Sequence, residues 1–190
     1  MEPGLSLYPT VLLINVRRNN LTKIEFILNG KPTRVEAPGS LSLLRLLREQ
    51  LGLTGTKCGC DTGDCGVCAI IFDGKLVNSC LVPVSGLEGH QVTTIEGLQS
   101  PNGGLSDLQE AFLGHGAVQC GFCIPSMILA GETLLRQNPA PRRDEIREGI
   151  SSVLCRCTGY QQVIDAIEET AHLRQANLQN RSEKSMESDL

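Results

Sequence analysis

From Lys23 onward the apolar positions follow first one period and then another, and the change divides the chain. Side chains alternate at Ile24, Phe26 and Leu28, break at Asn29-Gly30, and resume with Thr33 and Val35. Period two on both sides of a two-residue Asn-Gly turn predicts a β-hairpin. Pro38-Gly39-Ser40 closes the second strand and offers Ser40 as N-cap of a helix running through Leu51, with Leu43, Leu44, Leu47 and Leu51 on one stripe and Gly52 as the stop. A second hairpin follows at Ala69 to Phe72 and Lys75 to Ser79, around Asp73-Gly74, and a short strand at Gln91 to Ile95. These elements make a small mixed sheet gripping one helix.

Past Ser100-Pro101-Asn102-Gly103-Gly104 the period becomes 3.6, which marks a linker and a domain boundary. Ser106-Asp107-Leu108-Gln109 is a capping box opening a helix to Leu113. Pro125 stands at the first helical position of a segment ending at Asn138-Pro139. Asp144 to Leu154 and Tyr160 to Ala176 read as two more helices, four in all with short connections, a bundle. The expected organisation is an N-terminal extension (1–21), a sheet domain (22–98), a linker (99–104), a helical domain (105–176) and a polar tail (177–190) with no periodic face, expected to be mobile. The fold class is α+β.

Composition narrows the function. Aromatic residues are 3% of the chain and Trp is absent, so both cores must be aliphatic. A net charge of −4 and a pI near 5.4 leave no basic face for nucleic acid. No stretch approaches the ~20 apolar residues a membrane span needs. Arg17-Arg18 invites a twin-arginine export reading, but charged and polar residues follow where an apolar region is required. Nine cysteines, an odd number, without a secretion signal point to reduced thiols in the cytoplasm and so to metal ligation.

Four of the nine follow the spacing Cys60-x4-Cys65-x2-Cys68 with Cys80 further on, the plant-type ferredoxin pattern for a [2Fe–2S] cluster. Two tetrahedral irons bridged by sulfide need four thiolates, and the resulting anion must be wrapped by a sharply turning loop with its amides inward. Gly59, Gly63 and Gly66 permit that turn. Cys80, at a strand end, closes the cage. Cys58 is the spare thiol, read as a small buried side chain beside the cluster. The alternative for this loop is zinc, whose loops more often use two CxxC pairs.

Cys120-Gly121-Phe122-Cys123 and Cys155-Arg156-Cys157 lie at breaks between predicted helices and offer a second set of four. Cys123 precedes a helix N-terminus, where free amides and the macrodipole favour a thiolate. The spacing alone leaves a zinc staple or a redox CxxC open for this half.

The runs Gln119-Cys120-Gly121-Phe122-Cys123-Ile124-Pro125-Ser126-Met127, Leu154-Cys155-Arg156-Cys157-Thr158-Gly159-Tyr160 and Val92-Thr93-Thr94-Ile95-Glu96-Gly97-Leu98 together resemble the small iron–sulfur subunit of the molybdenum hydroxylases, the xanthine dehydrogenase, aldehyde oxidase and carbon monoxide dehydrogenase family. The resemblance spans Lys23 to Ala171. It implies a β-grasp, ferredoxin-like [2Fe–2S] domain followed by a four-helix [2Fe–2S] domain. One cluster would sit on Cys60, Cys65, Cys68 and Cys80, and the other on Cys120, Cys123, Cys155 and Cys157. It further implies that the second cluster faces molybdopterin in a large partner subunit, with Gln119 and Cys157 contacting the pterin. The first would hand electrons to FAD in a medium subunit, the whole being a hetero-oligomer.

No dinucleotide fingerprint, P-loop or HExxH motif is present, and His90, His115 and His172 form no constellation with one another. The chain is therefore expected to carry redox centres without a catalytic residue, as the iron–sulfur component of an oxidoreductase whose substrate chemistry lies elsewhere.

Overall fold

A computed structural model describes residues 21–100 and 102–188 of the 190-residue chain, with side chains as far as residue 180. The first twenty residues, including Arg17-Arg18, lie outside the described residues. Strands β1 (Leu21–Leu28) and β2 (Lys31–Pro38) form the first hairpin, with Leu28 opposite Lys31. Asn29 and Gly30 turn it at φ 51° and 76°, the positive pair that a two-residue loop of matching twist requires. β3 (Ala69–Phe72) and β4 (Lys75–Asn78) form the second hairpin, and β5 (Gln91–Thr93) lies between the two hairpins, parallel to β1 and antiparallel to β3. The sheet order is β2-β1-β5-β3-β4, the mixed β-grasp arrangement.

The helix gripped by the sheet begins later than its sequence predicts, and it is less regular. Ser42, not Ser40, is its N-cap, with Oγ accepting from the Arg45 amide at 3.4 Å. The preceding residues are tied elsewhere: Leu41 accepts from the Val84 amide at 2.8 Å, and Ser42 bridges Pro83. α1 (Leu43–Arg45) passes into a wider π turn over Leu46–Gln50, closed by the Leu51 amide on the Leu46 carbonyl at 3.1 Å. Leu43, Leu46 and Leu47 pack with Ile24, Phe26, Val35 and Ile70 into the first core.

β3 serves two cores. Ile70 faces the first, while the next residue, Ile71, faces the opposite way into a second core with Val67, Leu98, Leu108, Phe112, Met127 and Ile167, as alternation along a strand demands. That second core belongs to four helices: α2 (Asp107–Gly114), α3 (Ile124–Gln137), α4 (Arg143–Ile150) and α5 (Gln161–Ser188). The helices cover the far face of the sheet, so the molecule is an α+β layered body. The capping box at Ser106 and Gln109 forms as predicted.

Two helix ends differ from expectation. α4 stops at Ile150 rather than Leu154, where the Ser151 hydroxyl donates to the Glu148 carbonyl at 2.7 Å and releases the chain into an irregular loop. α5 continues to Ser188, through what the sequence marked as a mobile polar tail beginning at residue 177. Residues 177–188 contain neither Gly nor Pro. Once the bundle has supplied the nucleus, adding turns to an existing helix costs little.

Candidate metal centres

The first cysteine loop joins the π turn to β3. Cys60, Cys65 and Cys80 are half-buried and Cys68 is buried. Cys80 lies not on a strand but on the 3₁₀ turn Ser79–Leu81 that follows β4. This turn is fixed by the Ser79 hydroxyl and amide, which donate to the Cys68 carbonyl at 2.7 and 3.3 Å. Asn78 Nδ2 donates to the Gly63 carbonyl at 2.8 Å and braces the loop from outside. The amides of Thr62 and Cys65 both point at Cys60 Sγ, each at 3.4 Å. Hydrogen bonds from Thr62, through side chain and backbone, and then from Cys65 bring the Cys60 thiol down to about 6. Burial, and then the adjacent Cys68, push Cys80 up to about 12. Cys58 is exposed, which corrects the expectation of a buried thiol: the backbone is anchored one residue earlier, where the Lys57 amide donates to the Val67 carbonyl at 3.3 Å.

The second set comes from two helix junctions. Cys123 is the N-cap residue of α3, and Cys120 is exposed three residues before it. Cys155 and Cys157 sit in the loop between α4 and α5. The fold brings the junctions together: Cys157 Sγ lies 3.6 Å from Cys120 Sγ, and Cys123 hydrogen-bonds with Cys155. The helix N-terminus was expected to favour a Cys123 thiolate, but burial outweighs it and, with Cys155 alongside, pushes that thiol up to about 12. Burial also works to raise Cys155. Hydrogen bonds from the Thr158 hydroxyl and amide nonetheless bring it down to about 7. Gln119 is exposed next to Cys120.

The thiols thus meet two by two: Cys68 with Cys80, Cys123 with Cys155, Cys120 with Cys157. Among the described residues no three His, Cys, Asp or Glu side chains converge closely enough to hold one metal ion. The four thiolates of each set would hold a [2Fe–2S] core, which would supply one-electron redox chemistry. Sharing of protons within the pairs is what a metal core would replace on binding.

The two loops also touch. The Leu154 amide donates to the Cys65 carbonyl at 2.9 Å. Beside it Gly66, at φ 70°, lies so close that a Cβ there would stand 2.0 Å from the Ser152 carbonyl oxygen. Sequence reading missed this seam, and it also missed the roles of Thr158 and Tyr160. A hydroxyl three residues beyond Cys155 was the available signal for the former. His90 pairs with Asp73 and His115 with Glu169, both away from the cysteines.

Such a body, a β-grasp sheet and a helical bundle each presenting four thiols, defines a protein with two [2Fe–2S] binding domains. Family models agree: residues 26–93 match the 2Fe-2S iron-sulfur cluster binding domain and residues 94–168 the [2Fe-2S] binding domain. The small subunit of nicotine 6-hydroxylase from Paenarthrobacter nicotinovorans is 41% identical over 145 residues, 76% of this chain and 87% of that protein. The xanthine dehydrogenase iron-sulfur-binding subunit of Escherichia coli O157:H7 is 42% identical over 147 residues, 76% of this chain and 91% of the other. Among solved structures, quinoline 2-oxidoreductase from Pseudomonas putida 86 superposes with a TM-score of 0.77 at 45% identity, over 80% of this chain and 93% of that one. The chain belongs to the small iron–sulfur subunits of the molybdenum hydroxylases, and it is an oxidoreductase component. No described helix is long and apolar enough to cross a membrane.

Proposed function

We propose that the chain is a two-step electron relay between a large molybdopterin-binding subunit and a medium FAD-binding subunit or other acceptor, in a cytoplasmic hetero-oligomer. Cys60, Cys65, Cys68 and Cys80, in the unit 22–98, hold one [2Fe–2S] cluster. Cys120, Cys123, Cys155 and Cys157, in the unit 105–176, hold the other. Gln119 and Cys157 are the residues that meet the pterin.

The observation that carries this reading is the hydrogen bond from the Leu154 amide to the Cys65 carbonyl. It joins a residue of the first set to the neighbour of Cys155 in the second. An electron leaving one cluster has a short route through Cys65, one hydrogen bond, Leu154 and Cys155 to the other. The surroundings of the second set supply a reason to dock. Phe122 and Leu154 are 46% and 57% exposed, next to the exposed Cys120 and close in sequence to the exposed Cys157. Large apolar side chains at a redox group suit a partner that excludes water there. A free-standing ferredoxin would have no use for that apolar rim.

The test is to purify the chain with the subunits that accompany it and assay metal and sulfide. The reading requires about four irons and four acid-labile sulfides per chain, from two clusters of two irons each. Zinc without sulfide, or a chain that purifies alone, would refute it. Cys60→Ser is expected to damage one of two paramagnetic signals in the reduced protein, while Cys58→Ser leaves both.

A further inference from the structure

Each cysteine set places a threonine beside one of its thiols, and in the second set the hydroxyl lies against the sulfur. Thr158 Oγ1 lies 3.1 Å from Cys155 Sγ, and the Thr158 amide lies 3.4 Å from the same sulfur. A metal-bound sulfur carries no proton, so in the loaded protein the hydroxyl must be the donor. Its oxygen in turn accepts from the Tyr160 amide at 3.2 Å. The chain Tyr160 N–H to Thr158 O–H to Cys155 Sγ is head to tail, and each bond polarises the next.

Tyr160 also holds the loop from its other end. Its phenol oxygen accepts the Cys155 amide at 2.8 Å and donates to the Val153 carbonyl at 3.3 Å. To do both it adopts φ 67°, a left-handed backbone uncommon for a bulky residue. Such strain persists where surrounding contacts over-determine it. The first set has a threonine in a similar place, but with a second acceptor for its proton. Thr62 reaches Cys60 through both side chain and backbone, but its Oγ1 also lies 2.6 Å from Asp64 Oδ2, a carboxylate that competes for the single hydroxyl proton.

We propose that Thr158, oriented by Tyr160, sets the reduction potential of the bundle-domain cluster by donating its hydroxyl proton to the Cys155 sulfur. The proposal rests on the ligand assignment given above. Reduction adds one negative charge to the cluster, and a hydrogen-bond donor to its sulfur stabilises that added charge, so the donor raises the potential. Thr158 acts through the sulfur rather than on any substrate, and it is a positioning and tuning residue.

The experiment is a redox titration of the purified complex, following the two paramagnetic signals separately. Thr158→Val keeps the shape of the side chain and removes the donor. It is expected to shift the one-electron equilibrium of the bundle-domain cluster about tenfold toward the oxidised form, which is a fall of about 59 mV. The other cluster should stay put. Thr158→Ser restores the hydroxyl and should restore the potential, a rescue that packing alone would not give. An unchanged midpoint in Thr158→Val, with four irons and two signals intact, overturns the proposal and leaves the ligand assignment standing. Wild-type complex with only two irons per chain and one signal overturns the ligand assignment itself.

Discussion

At the scale of single residues, the seam between the loops turns on Gly66. Its φ of 70° already disfavours a side chain, and the Ser152 carbonyl oxygen occupies the place a Cβ would take. Gly66→Ala is expected to cost about 1–2 kcal/mol for the left-handed backbone alone, and more for displacing the loop that carries Cys155. Gly30 has a similar φ of 76° but open space around it, so Gly30→Ala should lose only the backbone part. A comparison of melting temperatures separates the two, and equal losses would show that the close approach is not a constraint. The candidate ligands were legible in sequence because spacing on a short loop is local information. The contact of Gly66 with Ser152 was not, since it joins positions far apart in the chain. Cys58 shows the limit from the other side: spacing marks it as spare, but only the fold says it is exposed.

At the scale of elements, alternation and capping located the strands and helix starts, and the errors fell at ends. Ser106 with Gln109 announces α2 because both halves of the capping box are within four residues. Ser40 failed as a cap because residues beyond Val82 hold that segment by tertiary bonds. α5 outran its apolar stripe because nothing in residues 177–188 stops a helix already begun. What pins α5 to the bundle is ionic as well as apolar. Arg174 forms a fork on Asp107 of α2, with both bonds at 2.7 Å, and reaches Glu132 of α3 at 2.8 Å. The Arg174 guanidinium holds the Asp107 carboxyl below the usual carboxylate range. Asp107 is 45% exposed and Glu132 only 12%, so solvent weakens the first pair more than the second. Arg174→Ala is expected to cost about 1–2 kcal/mol at neutral pH by denaturant unfolding. A carboxyl with a depressed folded value contributes fully above its unfolded value of about 4 and loses that contribution as pH falls below it. The gap between wild type and Arg174→Ala should therefore narrow in acid, and a gap that widens there would contradict the pairing.

At the scale of the whole molecule, the change of period at residues 100–104 reads in sequence as a boundary between two units, yet side chains from both sides share one core. Val67, Ile71 and Leu98 come from the sheet half and sit in the core of the helical half. Sequence alone marks Ala69 to Phe72 only as a hairpin strand; that all four residues are apolar fits the burial on both faces that the structure shows. On heating the cluster-loaded chain, visible absorbance from both clusters and the helical circular dichroism are expected to disappear together. Loss of one cluster while the helical signal persists would mean that the halves unfold separately.

A strand with side chains in two cores ties the halves of the molecule together. On the proposed relay, the gap that an electron must jump between the two metal groups would be set when the chain folds. A docked neighbour would then act on the traffic at its own contact, while the step between the metal groups would be governed by the chain's own side chains.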